Sequence, residues 1–97
     1  METQKFNFDI NDSYVFSYSL YDGEVFIHCY VNDWSPSVLK MMYRTFSKFT
    51  SFLQGQGVTR FYSVTPNSKF TLLFNGKIEG VVYENGKKYE VVKWELN

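Results

Sequence analysis

Residues 5–10 read KFNFDI, with Phe6, Phe8 and Ile10 alternating against polar positions. A period of two predicts a half-buried strand. After the polar break Asn11-Asp12-Ser13, residues 14–20 alternate again. Tyr14, Phe16, Tyr18 and Leu20 fall on one side, Ser17 and Ser19 on the other. Asp22-Gly23 separates this run from EVFIHCYV, residues 24–31. An Asp-Gly pair between two strand patterns predicts a hairpin, because a type I′ turn needs positive φ at both central residues. The 24–31 run is apolar on both faces, which predicts a central strand covered on both sides.

The period then changes. Ser35 is a suitable N-cap and Pro36 a suitable first helical residue, and Trp34 is placed to pack on Leu39 across the helix start. Val38, Leu39, Met42, Phe46, Phe49 and Leu53 recur at helical spacing, while Lys40, Arg44 and Lys48 lie four apart on the opposite face. This predicts an amphipathic helix over 36–54 that stops near Gly55 or Gly57. Residues 58–64, VTRFYSV, predict another strand, and Thr65-Pro66 opens a short helix running to about Phe74 and ended by Asn75-Gly76. KIEGVVYE and KKYEVVKWEL flank Asn85-Gly86, a second hairpin signal. The expected order is β-β-β-α-β-α-β-β. A strand-helix-strand unit at its centre implies a parallel pair, and so a mixed sheet. The fold class expected is α/β (α+β), a single small domain over 1–97 with one long and one short helix.

Composition sharpens this. Ten Phe, eight Tyr and two Trp in 97 residues are many. Large rings bury much area each, which suits a small core and also supplies anchors for a partner. Ten basic and ten acidic residues cancel, leaving no global electrostatic footprint for nucleic acid. Cys29 is the single cysteine, so no internal disulfide is expected, in keeping with a reducing compartment. METQKFNFDI has no apolar core of a signal peptide, and no run approaches the roughly 20 apolar residues of a membrane span. The expectation is a soluble, cytoplasmic protein.

Residues 58–96 carry a more specific pattern. Asn67, Phe70, Leu73 and Phe74 followed by Gly76 resemble the N-x-x-A-x-x-L-Y-x-G run of the GNAT (Gcn5-related N-acetyltransferase) family, with Phe70 in the small-residue place and Phe74 where Tyr would stand. The tail YEVVKWEL is similar to the last strand of such proteins, and the chain is similar in style to short GNAT-like proteins of bacteriophages. The resemblance implies a truncated GNAT-like fold, with acetyl-coenzyme A as the family's cofactor. Three departures argue against chemistry. Phe74 has no transferable proton, and a general acid needs one. NDWSP, residues 32–36, stands in place of the Gly-rich phosphate loop; it holds no Gly, and Asp33 repels a phosphate. QGQG, residues 54–57, sits at the helix C-terminal end, where the dipole is unfavourable to anions, and is read as a helix stop. Lastly, residues 1–13 supply one strand where the family has a strand and two helices.

Other chemistry is thin. His28 and Cys29 are neighbours on a strand and face opposite sides. One His and one Cys make no metal site. Glu24 is read as a hairpin residue paired to Tyr21 or Leu20 rather than as a base. No catalytic, cofactor-binding or metal-ligating residues are assigned. Partner-contacting candidates are Lys40, Arg44 and Lys48, with Tyr18, Tyr21 and Tyr30 as an aromatic alternative; a solvated helix face also accounts for the three cations. The functional expectation is a non-catalytic pseudoenzyme that binds another protein, a host factor if the chain is phage-encoded, and inhibits it. The rivals are a minimal acyl-coenzyme A-dependent N-acetyltransferase and a virion or assembly component. No nucleic acid or membrane partner is expected, and a homo-oligomer is left open.

Overall fold

Ser35 starts the long helix by accepting a hydrogen bond from the Val38 amide, with Pro36 in the first turn. The computed structural model describes residues 4–96, the side chain of Phe70 apart. Its elements are β1 (Lys5–Ile10), β2 (Tyr14–Tyr21), β3 (Glu24–Val31), α1 (Pro36–Gly55), β4 (Arg60–Thr65), α2 (Lys69–Leu72), β5 (Lys77–Glu84) and β6 (Lys87–Glu95). The strands form one six-stranded sheet in the order β1-β2-β3-β4-β6-β5. The β3–β4 pairing is parallel and the other four are antiparallel, so this is a small α+β domain with a mixed sheet. Both hairpin turns adopt positive φ at both central residues, Asp22-Gly23 and Asn85-Gly86, as type I′ geometry requires. Gly57, at φ +78°, turns the chain out of α1.

The core lies between α1 and one face of the sheet. Val38, Met42, Thr45, Phe49 and Leu53 of α1 are buried. They meet Tyr14 and Phe16 of β2, Val25 and Ile27 of β3, Phe61 of β4 and Trp94 of β6. Phe49 is fully enclosed, with edge contacts to Phe8, Phe16 and Phe61 at ring separations of 5.1, 5.0 and 5.6 Å. Phe61 stacks flat on Trp94 at 4.9 Å. Much of the aromatic excess is thus core material. Gly76 is required where it stands: an added Cβ would collide with the Val92 and Trp94 side chains.

Thr45 is buried on α1 and absent from the expected apolar stripe. Its hydroxyl donates to Asp9 Oδ2 at 2.5 Å, and the Tyr14 hydroxyl lies 2.6 Å from Thr45 Oγ1. This satisfies the buried oxygens and ties β1, β2 and α1 together.

Several expectations need correction. The alternation in β1 breaks at a bulge between Asn7 and Asp9, so Phe8 and Asp9 both serve the helix side and Ile10 is exposed. Leu20, at the hairpin end beyond the helix, is also exposed. The strand expected over 58–64 is Arg60–Thr65, because the Val58 amide still bonds back to the Leu53 carbonyl. The short helix expected from residue 65 to 74 is confined to Lys69–Leu72. Phe46 is only partly buried. The largest correction concerns β3, which is covered on one face only: Val25 and Ile27 are buried under α1, while His28 and Tyr30 on the reverse are exposed.

Candidate functional site

Among the described residues the single long helix lies on one side of the sheet, and no element covers the other face. Strand register fixes what stands there. Ser19 opposes Phe26, Ser17 opposes His28 and Tyr21 opposes Glu24 across β2–β3, while Phe26 opposes Tyr62 across β3–β4. Val64 and Val91 continue the row onto β6. The rings form a short chain: Tyr21 meets Phe26 edge-on at 6.4 Å, and Phe26 meets Tyr62 at 5.6 Å. Ser17 and Ser19 are buried although they lie on this face, because small side chains sink between longer neighbours. A shallow depression of about 650 Å³ is lined by Lys5, Ser19, Tyr21, Phe26, His28, Val64 and Glu84. Lys5 comes from β1 and Glu84 from the tip of the β5–β6 hairpin, so the face is concave and carries opposite charges at its two rims.

Electrostatics close one end of the face. Arg60 grips Glu24 with two hydrogen bonds, at 2.6 and 3.2 Å. The Arg60 guanidinium holds the Glu24 carboxyl below the usual carboxylate range, and Glu24 in turn raises Arg60. Lys93 bridges Glu95 at 3.2 Å and Glu79 at 3.5 Å. These pairs leave the aromatic row as the unspent part of the surface.

A Ser–His contact also lies in the depression, with Ser19 Oγ 2.9 Å from His28 Nε2. Partial burial, and to a lesser degree the positive charge of Lys5, hold the imidazole below its ordinary range. Among the described residues no carboxylate hydrogen-bonds this ring. Ser19 lies on a strand paired on both sides, so backbone amides are committed to the ladder and none converges on a developing oxyanion. The contact is a cross-strand hydrogen bond rather than a nucleophile and its base. Cys29 points the other way, half-buried, and burial pushes its thiol up to about 12, far from thiolate chemistry.

The places that the family resemblance marks out are occupied differently. Phe74 is buried, with Tyr43 at 4.6 Å and Phe46 at 5.1 Å. The nearby hydroxyl of Tyr43 donates to the Leu73 carbonyl. Asn32 is held to the Asp12 and Ser13 carbonyls, and Asp33 is exposed before α1. Between the α1 start and α2 is an open hollow of about 420 Å³, lined by Trp34, Asn67, Lys69 and Leu73. A separate interior gap among Ile27, Cys29, Phe46, Phe74 and Trp94 measures about 10 Å³, at or below what one water needs.

The sequence-derived contact candidates do not gather into one site. Lys40, Arg44 and Lys48 are exposed on the outer side of α1. Tyr18 lies between sheet and helix, against Phe6 at 5.3 Å and Phe49 at 5.4 Å. Tyr21 and Tyr30 are on the open face, 63% and 70% exposed, but at opposite ends of the β2–β3 pair. Phe26, Tyr62 and Val64 share that face and were not singled out from the sequence, and His28, weighed there only for chemistry with Cys29, joins them. The signal was there: six strand patterns and one long helix leave a face without cover. Among the described residues no helix is long and apolar enough to cross a membrane, and no group of three or more His, Cys, Asp and Glu could hold a metal ion. Compared with known protein families, curated proteins and solved structures, the chain matches none.

Proposed function

We propose that this domain is a non-catalytic protein-binding module whose working surface is the open, concave face of the sheet. The observation that carries the reading is the uncovered row Tyr21, Phe26, Tyr62 and Val64, set between Lys5 and Glu84. Rings that are already ordered lose little entropy on binding, and aromatic anchors dominate interface energetics. The partner this face fits is a protein segment apolar at its centre, with an acidic group to meet Lys5 and a basic group to meet Glu84. On this reading the GNAT-like pattern of residues 58–96 reflects a scaffold without its chemistry, and a phage-encoded chain would direct the face at a host factor as an inhibitor.

The rival reading, a minimal acyltransferase, is favoured by the hollow beside Trp34 and Lys69. Against it stand the buried Phe74 and the exposed Asp33. One experiment separates the two. A partner recovered by affinity capture is purified and titrated against variants, and each variant is also melted with acetyl-coenzyme A. Tyr21→Ala combined with Val64→Asp should weaken partner binding at least about tenfold, as loss of a central anchor does. Reversal of Lys40, Arg44 and Lys48 to Glu should leave affinity within about threefold, since distant surface charge chiefly tunes association rate. Acetyl-coenzyme A should leave the melting temperature unmoved. A shift of about 10 °C with millimolar cofactor would instead support the acyltransferase. Affinity unchanged by the open-face variant would remove this face from the function.

A further inference from the structure

Among the described residues the β5 strand forms one edge of the sheet and has no neighbour on its outer side. It is eight residues long, and Ile78, Val81, Val82 and Tyr83 are between 43% and 75% exposed. An exposed, apolar edge of this length is a template for another strand, since alternate backbone N–H and C=O groups point outward. The opposite edge, β1, is shorter, and its bulge diverts Asp9 to the helix side.

The question is which strand fits. Pairing with β6 places Lys77, Gly80, Val82 and Glu84 on the open face and Ile78, Val81 and Tyr83 on the helix side. The bulge between Ile78 and Gly80 makes this so. In a regular strand, Lys77 and Glu84 would fall on opposite faces. With the bulge they share one, and the strand becomes complementary to itself. We propose that two copies of this chain pair antiparallel through β5, about a two-fold axis at Val81, into one continuous sheet. Lys77 of each copy then stands opposite Glu84 of the other, Ile78 opposite Tyr83, and Val82 opposite Gly80. Every opposed pair lies on a common face, as antiparallel pairing demands, and Glu79 remains the extra residue of each bulge. Opposite charges at both ends and an aliphatic–aromatic pair inside them are the cross-strand combinations that stabilise a sheet. The two-fold axis runs through the sheet, so the contact is isologous and closes at two copies. The Tyr21–Phe26–Tyr62 row stays open in both copies, but Glu84 is shared: in the dimer it meets Lys77 of the other copy, so a partner's basic group at that rim competes with self-pairing.

Sedimentation velocity on the full chain, across roughly 1–500 μM, tests it, a range suited to a small interface. The expected result is a monomer–dimer equilibrium. Lys77→Glu and Glu84→Lys should each weaken it roughly tenfold, since two cross-strand pairs turn repulsive together. The double variant, which exchanges the two charges, should restore it. Val81→Lys, which brings two cations together at the axis, should give a monomer with an unchanged melt. A monomer throughout, a dimer indifferent to the single charge reversals, or a double variant no better than either single would overturn the register. A dimer broken by Val64→Asp but not by Val81→Lys would move the contact to the open face and overturn the proposal as well.

Discussion

His28 is the only histidine in the chain, and its ring sits over the sheet between Ser19 and Lys5. Burial and, secondarily, the Lys5 charge disfavour the imidazolium in the folded state, so its pKa lies below the ordinary value. The unfolded chain then takes up this proton first. Its contribution to stability is complete above about pH 6.5 and declines as the pH falls through that value toward the folded-state pKa. The melting temperature should accordingly drop between about pH 7 and pH 5.5, the range where an ordinary histidine titrates. In His28→Gln that drop should flatten. A slope that persists in the variant would assign it to other groups. Glu24 acts in a separate and more acidic window, since Arg60 holds its pKa below 4.5 and its contribution fades only as the pH falls past that value.

At the scale of elements, α1 is the piece that organises the rest. Phe49 is its deepest side chain and reaches rings on β1, β2 and β4. Phe49→Ala should cost about 3–5 kcal/mol in urea unfolding, as full truncation of an enclosed aromatic does. Phe52→Ala, at a position 38% exposed, should cost clearly less. Equal costs would mean that the helix face is assigned wrongly. This helix was legible in the sequence because four signals agree: the Ser35 cap, Pro36, the 3.6-residue stripe and a glycine stop. The two hairpins were legible for a similar reason, each resting on a turn dipeptide whose φ values only a few residues tolerate. What escaped were features set by tertiary context. The β1 bulge is invisible to a period-two count, and it alone carries Asp9 to Thr45. Thr45 is polar and so fell outside the apolar stripe, yet it is buried because the Asp9 carboxylate is there to accept its hydroxyl. Phe26 lay in a run expected to be covered on both faces and Tyr62 carried no expectation, because aromatic residues serve cores and interfaces alike. Only a count of helices against sheet faces separates the two uses.

Across the whole molecule, the sheet consists of two antiparallel blocks, β1-β2-β3 and β4-β6-β5, joined along β3–β4. Inside each block the strands are registered along most of their length, with one bulge each in β1 and β5, and the join has a single register pair, Phe26 opposite Tyr62, flanked by the Arg60–Glu24 bridge. Joining the blocks also closes the long excursion of chain from Val31 through α1 to Arg60. The hairpins need only local loops, which close early, whereas a distant parallel contact is rewarded only after its closure entropy has been met. The narrow join is therefore expected to be secured last and to part first, and its residues should then act on the lifetime of the native state more than on the rate of reaching it. Arg60→Gln should steepen or raise the unfolding limb of a denaturant chevron and leave the refolding limb in place, the signature of a contact absent from the transition state. A slowed refolding limb would put the join in the nucleus instead. Phe49, which reaches both blocks from α1, bears much of that join, and the Arg60–Glu24 pair adds to it what an exposed ion pair can.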